Sequence, residues 1–157
     1  MIRLLVMDVD GTLTNGKLYI GIEGEEFKAF NIKDGYGIKN ILPTYNVLPA
    51  IISGRKSNIV KNRCAELGIR RLFQGVENKL QTLWMLIDEI GVLPNEVAYI
   101  GDDDNDIECM KYILNNGGVI GCPSDSSESV SSLQGVFVCK AAGGNGAVRE
   151  FINHITK

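Results

Sequence analysis

Ile2-Arg3-Leu4-Leu5-Val6-Met7-Asp8-Val9-Asp10-Gly11-Thr12-Leu13-Thr14 opens the chain with an apolar run that ends on two carboxylates. A short, nearly unbroken apolar run reads as a strand buried on both faces, the habit of parallel sheets covered by helices. Much later, Glu96–Ile100 repeats the pattern and ends in Gly101-Asp102-Asp103-Asp104-Asn105-Asp106. Strand-like and helix-like stretches alternate between the two. That order predicts an α/β fold with a central parallel sheet and right-handed crossovers, in three layers. The carboxyl ends of such strands line one edge of the sheet, so the two acidic clusters are expected to converge there. Crowded carboxylates with no equal number of bases beside them in sequence repel one another unless a hard cation sits among them. The expected site is therefore a Mg²⁺ centre with a carboxylate left over for chemistry.

The remaining pattern fills in the layers. Lys17–Ile22 and Glu25–Asn31 flank Glu23-Gly24 and predict an inserted β-hairpin, a flap over about residues 17–31. A helix is expected over Gly35–Leu42, stopped near Pro43, then a strand over Val47–Ser53. Ser57–Leu67 reads as a helix ended by Gly68. Arg71–Gln74 reads as a strand and Glu77–Gly91 as a long amphipathic helix. Helix Asp106–Leu114, strand Val119–Gly121, a short polar helix in Ser124–Ser132, strand Val136–Cys139 and helix Ala147–Ile155 complete the order. At 157 residues the size prior gives one domain, 1–157, with no repeats or linkers.

Composition narrows the function classes. Hydrophobic residues make up 45% and charged residues 22%, ordinary for a globular protein. A net charge of −3 argues against nucleic acid as the main partner. No apolar run approaches the ~20 residues of a membrane span, and the apolar start is too short for a signal peptide. A cytoplasmic, non-membrane protein is expected. Cys64, Cys109, Cys122 and Cys139 have no C-x-x-C spacing, so reduced, packed thiols are expected rather than zinc. The single histidine, His154, lies near the C-terminus and disfavours a histidine-based mechanism.

Four segments are expected at the active edge: Asp8–Thr14, Ser53-Gly54-Arg55, Lys79 and Gly101–Asp106. Each has a plainer reading. Asp-x-Asp-Gly is commonly a turn, Ser-Gly a capped turn, a helical Lys solvated, and an acidic run a helix start favoured by the dipole. Their joint occurrence, in this order, makes four coincidences improbable. An EF-hand fails on spacing, because its sixth position requires Gly and here falls on Leu13 or Ile107.

The joint pattern resembles the haloacid dehalogenase (HAD) superfamily of phosphotransferases. Asp-x-Asp-Gly-Thr/Val-Leu-Thr matches Asp8–Thr14, the Ser/Thr after a strand matches Ser53, the Lys matches Lys79, and Gly-Asp-Asp-x-x-Asp matches Gly101–Asp106. The resemblance implies a Rossmann-like HAD fold and phosphoryl transfer through an aspartyl-phosphate. Asp8 would be the nucleophile and Asp10 the acid and base. Ser53 and Lys79 would hold phosphate oxygens. Mg²⁺ would take the carboxylates of Asp8 and Asp102 and the main-chain carbonyl of Asp10. Asp103 and Asp106 would orient metal waters or Lys79, with Asp103 the favoured of the two.

Only 42 residues separate Asp10 from Ser53, and 25 separate Ser53 from Lys79, so no cap domain fits. The site is expected to be open, with the aromatic hairpin exposing apolar surface for a neighbouring copy. Gly24–Ile38, Ser53–Ser57, Arg63–Ile69 and Ala142–Glu150 are similar to the 3-deoxy-D-manno-octulosonate 8-phosphate (KDO 8-phosphate) phosphatases, capless Mg²⁺ enzymes. That resemblance implies a homotetramer whose neighbours complete each site, with the C-terminal Gly-rich loop near a neighbour's site. It also implies a sugar acid phosphate as substrate, in lipopolysaccharide biosynthesis. Substrate contacts would come from Gly11, Thr12, Gly54, Arg55 and Arg63, with Arg63 reaching across a subunit boundary. Arg55 is the strongest of these, since a guanidinium pairs with carboxylate in a fixed fork.

Two departures bear on the substrate. Asn145 stands where the family commonly has Arg. Phe73-Gln74-Gly75-Val76 is nearer to phosphatases of nine-carbon sialic acids such as KDN 9-phosphate or N-acylneuraminate 9-phosphate, whereas Arg55 favours the eight-carbon acid. A receiver-like signalling domain shares the acidic cluster, hydroxyl and Lys, but its acidic pair and acceptor Asp follow different strands from those here.

Overall fold

The computed structural model describes residues 1–157, and its strands obey the periodicity of the sequence. β1 (Leu4–Met7) is buried along its whole length, as a strand covered on both faces must be. Around it lie β4 (Leu48–Ile52), β5 (Arg71–Phe73), β6 (Val97–Ile100), β7 (Val119–Cys122) and β8 (Phe137–Val138). The sheet runs β5-β4-β1-β6-β7-β8, every pair parallel. The chain winds outward from β1 to β5, returns to β6 beside β1, and winds outward again to β8. That reversal makes a doubly wound sheet with its switch point between β1 and β6.

The layers above and below hold separate cores. One gathers Leu5, Met7, Ile51, Cys64, Ile100, Val148 and Phe151. The other gathers Leu4, Val6, Ala50, Ile52, Leu83, Leu86, Tyr99 and Met110. Alternate residues of β1 thus feed opposite faces. The flanking helices are α1 (Ile32–Tyr36), α2 (Asn58–Leu67), α3 (Lys79–Ile90), α4 (Ile107–Asn115), α5 (Glu128–Ser131) and α6 (Ala147–Ile155). All four cysteines are buried free thiols. No helix is long and apolar enough to cross a membrane.

Two local expectations differ from the structure. The helix expected over Gly35–Leu42 starts earlier, at Ile32, because Asn31 accepts the Lys33 amide at 2.8 Å and caps it. It continues as a π-turn over Gly37–Ile41 and a 3₁₀ turn over Leu42–Tyr45. Pro43 sits in the first turn of that last segment, where its missing N–H leaves no bond unmade. The hairpin is shorter than expected, with β2 (Tyr19–Gly21) paired to β3 (Gly24–Phe27). Beyond β3 the chain is drawn to the body by Lys28, by Phe30 against the core, and by Asn31 at its cap.

Candidate active site

β1 and β6 are neighbours in register, Met7 opposite Ile100. The first residues past their ends, Asp8 and Gly101-Asp102, are therefore forced side by side, and the Asp8 amide donates to the Ile100 carbonyl at 3.0 Å. Gly11 adopts φ of +90°, and a Cβ there would overlap the Asp102 carboxylate. The Thr12 hydroxyl donates to Asp102 Oδ1 at 3.1 Å. Gly11 and Thr12, expected to touch substrate, thus shape and hold Asp102.

Lys79 opens α3, and Asn78 caps that helix by accepting the Gln81 amide at 3.0 Å. The lysine is 4% exposed and reaches under the strand ends. Its ammonium donates to Asp8 Oδ1 at 2.7 Å and to Asp106 Oδ1 at 2.9 Å. Asp106 also accepts the Tyr99 hydroxyl at 2.7 Å and the Asp102 amide at 3.0 Å. A Cβ at Gly101 would collide with it, so Gly is required there. The partner of Lys79 is therefore Asp106. Asp103, the favoured candidate from sequence, is exposed and accepts the Asp104 amide at 2.8 Å to start the 3₁₀ turn Asp104–Asp106. That turn, which sequence did not resolve, decides which aspartate of the loop points inward.

Ser53 is buried at the end of β4, its amide bonded to the Phe73 carbonyl at 2.8 Å. Gly54 and Arg55 follow it and are exposed, with Gly54 facing the Val76 carbonyl and the Asn105 side chain. Arg63 lies on α2, paired to Glu66 at 2.9 Å with its guanidinium over the Phe30 ring. These contacts keep it on the flank of its own chain rather than with Asp8.

The electrostatics are those of a floor short of positive charge. Burial and the neighbouring Asp106 carboxylate raise the Asp8 pKa above the usual range, against the pull of Lys79. Burial and Asp8 raise that of Asp102 as well. Lys79 is pulled down by burial, but Asp8 and Asp106 outweigh it and leave it raised. One ammonium cannot neutralise three carboxylates. Oxygens of Asp8, Asp102 and Asp106 lie within 4.8 Å of one another, a hard-oxygen set that fits a divalent cation. Both oxygens of Asp106 are already committed to Lys79, Tyr99 and main-chain amides. Asp8 and Asp102 are thus the carboxylates that can hold the ion.

Three further contacts were not foreseen. Lys28 of the flap reaches Asp10 at 2.5 Å. Tyr99, fully buried in β6, anchors Asp106; a buried Tyr needs a partner for its hydroxyl, which was the available signal. The Gly-rich loop lies against its own chain's Asp8–Thr14 segment. The Gly144 amide donates to the Thr12 carbonyl at 3.1 Å, and a Cβ on Gly143 would strike the Gly11 carbonyl. Its glycines allow two main chains to touch.

The largest cavity, about 820 Å³, lies at the opposite edge of the sheet among Val47, Leu48, Pro49, Arg70 and Arg71, away from these carboxylates. Beside Lys79 there is a smaller recess of about 250 Å³, lined also by Asn78, Asp104 and Asn105.

No family model matches the chain. Known proteins resemble it over nearly its whole length. 3-deoxy-D-manno-octulosonate 8-phosphate phosphatase KdsC of Escherichia coli is 44% identical over 149 residues, 95% of this chain and 76% of the relative. The Moraxella catarrhalis 3-deoxy-D-manno-octulosonate 8-phosphate phosphatase, solved in complex with magnesium, phosphate and KDO, superposes with a TM-score of 0.89 at 36% identity. That match covers 98% of this chain and 85% of the other. A putative HAD superfamily (subfamily III A) hydrolase of Legionella pneumophila gives a TM-score of 0.89 at 32% identity, over 98% of this chain and 81% of the other.

Proposed function

The chain belongs to the KDO 8-phosphate phosphatase family of the HAD superfamily, and from that premise we propose that it hydrolyses KDO 8-phosphate to KDO and phosphate. It is a phosphoric monoester hydrolase. The observation that carries the mechanism is the Lys79 ammonium holding Asp8 Oδ1 while Asp102 stands beside the same carboxylate.

In the proposed reaction, an Asp8 oxygen attacks phosphorus as the ester P–O bond breaks. Asp10, 21% exposed at its side chain and two residues on, gives its proton to the departing sugar oxygen. A water then attacks the aspartyl-phosphate. It loses its proton to Asp10, the Asp8–phosphorus bond breaks, and phosphate leaves. Lys79, held at fixed geometry by Asp106, offsets the charge on Asp8 and on the phosphoryl oxygens. Ser53, buried at the end of β4, is the proposed hydroxyl donor to phosphate. Asp8, Asp102 and the Asp10 carbonyl would hold Mg²⁺, which would supply Lewis-acid charge to offset repulsion between Asp8 and the phosphate dianion.

Arg55, exposed two residues after Ser53, is proposed to pair with the sugar carboxylate. Within Phe73–Val76, the stretch that resembles the nine-carbon phosphatases, Gln74 has a scaffold role. Gln74 accepts the Ser57 amide at 2.9 Å and donates to the Ser57 carbonyl at 3.2 Å, so it braces the start of α2. The flap exposes Ile20, Ile22 and Phe27, which supports a homotetramer assembled through flaps, with Arg63 offered to a neighbour.

The test is phosphate release with Mg²⁺ and with EDTA, comparing KDO 8-phosphate, KDN 9-phosphate and N-acetylneuraminate 9-phosphate. A preference of about tenfold or more in kcat/KM for the first, ~1.4 kcal/mol at the transition state, is expected. An equal preference for a nine-carbon acid would overturn the substrate, and no metal-dependent release from any would overturn the reading.

A further inference from the structure

Not every side chain of the flap shares its exposure. Ile22 and Phe27 face solvent, yet the Lys28 side chain just beyond β3 is only 1% exposed. Its ammonium lies 2.5 Å from Asp10 Oδ1 and 2.7 Å from Glu25 Oε1. The second oxygen of Glu25 accepts the Ser57 hydroxyl at 2.6 Å. Ser57 in turn caps α2 by accepting the Val60 amide, two residues after Arg55. A continuous polar line thus runs from Asp10, through the flap, to the loop that carries Arg55. A buried ammonium must be paired, and this one is paired to the carboxylate that the mechanism needs for proton transfer.

We propose that Lys28 is a positioning residue, which fixes the Asp10 carboxylate and couples it through Glu25 and Ser57 to the Arg55 loop. The inference rests on the phosphatase reading. Lys28 occupies Oδ1, which assigns proton transfer to Oδ2. In ester cleavage the proton on Oδ2 passes to the departing sugar oxygen as the P–O bond breaks and the Asp8–phosphorus bond forms. In hydrolysis the attacking water returns a proton to the same oxygen. Seating of the sugar acid at Arg55 would be felt at Asp10 through a line anchored at both ends.

The leaving group provides the test. A sugar alkoxide must be protonated as it departs, whereas p-nitrophenolate leaves as a stable anion. Departure is irreversible under initial-rate conditions, so kcat/KM does not register the later hydrolysis. Wild type, Lys28→Met, Lys28→Arg and Glu25→Gln would be compared on KDO 8-phosphate and p-nitrophenyl phosphate, with Mg²⁺, after their unfolding midpoints are measured. Lys28→Met is expected to lose about tenfold or more further in kcat/KM on the sugar phosphate than on the aryl phosphate. Lys28→Arg should recover part of that gap, and Glu25→Gln should show a smaller one in the same direction. Equal losses on both esters, or no loss on either, would overturn the inference alone. Absence of metal-dependent release by the wild type would overturn the phosphatase reading and this inference with it.

Discussion

The floor of the site and its flap are both charged, but they are held in opposite ways. On the floor, Asp8, Lys79, Asp106 and Tyr99 are buried and joined by short bonds beneath the ends of β1 and β6. Sheet register sets their positions, and no single side chain can move without leaving an unpaired charge. The flap is a two-stranded ribbon on which Ile20, Ile22 and Phe27 are exposed. An isolated hairpin is marginal on its own, and this one is tied down through Lys28 to Asp10 and Glu25 to Ser57. The contrast separates a rigid floor, which holds Asp8 and Lys79, from a flap held to the body through a few polar ties.

The sharpest break of this contrast is Asp8→Asn. With the floor otherwise intact, kcat on any phosphate ester should fall by roughly 10⁴ or more, read by phosphate release. Next is Lys79→Met, which strands Asp8 and Asp106 as buried carboxylates without their cation. It should destabilise the fold by about 3–5 kcal/mol in urea unfolding. A loss under about 1 kcal/mol would mean that the floor is no more tightly built than the flap.

Metal loading probes the same floor without mutation. Mg²⁺ at a hundred times its dissociation constant should stabilise the folded chain by about 2.7 kcal/mol, and EDTA should remove that gain. Asp102→Asn should lose most of it, whereas a flap substitution should not.

A smaller effect lies at Asp34, where α1 meets the start of α6. This carboxylate is 2% exposed and accepts the Arg149 amide at 2.8 Å near the start of α6. Burial lifts its pKa from 3.8 to about 6, against the pull of the Arg149 and Gly146 amides. A raised carboxylate pKa means that the folded state binds the proton more tightly than the unfolded one. The stabilisation is then full below about pH 4 and is lost as pH rises through 6. Asp34→Asn, which keeps the acceptor oxygen and cannot ionise, should flatten this slope and match or exceed wild-type stability at pH 8 by about 1 kcal/mol. Urea midpoints at pH 4.5 and pH 8 would decide it.

The smallest expected change in stability is on the flap itself. Ile22→Asp should alter unfolding by no more than about 0.5 kcal/mol, since the side chain is fully exposed. If flaps join copies of the chain, the same substitution shifts the oligomer toward monomer in sedimentation. An unchanged assembly would remove the flap from the proposed interface.

Sequence periodicity determined the α/β order, because strands buried on both faces and amphipathic helices leave different spacings of apolar residues. It also determined that Asp8 and Asp102 end strands, since each acidic cluster directly follows an apolar run. It did not determine which aspartate of Gly101–Asp106 meets Lys79. Asp103 and Asp106 are equivalent in composition, and only the 3₁₀ turn aims Asp106 inward at Lys79 and Tyr99. Nor did it assign Gly11, Thr12 and Gly143 to holding the acidic loops together, because close approach of two main chains leaves no periodic trace. Nothing in the sequence marked Lys28 for burial. Its burial against Asp10 is set by where the hairpin folds back on the sheet, a long-range packing result that local spacing does not encode.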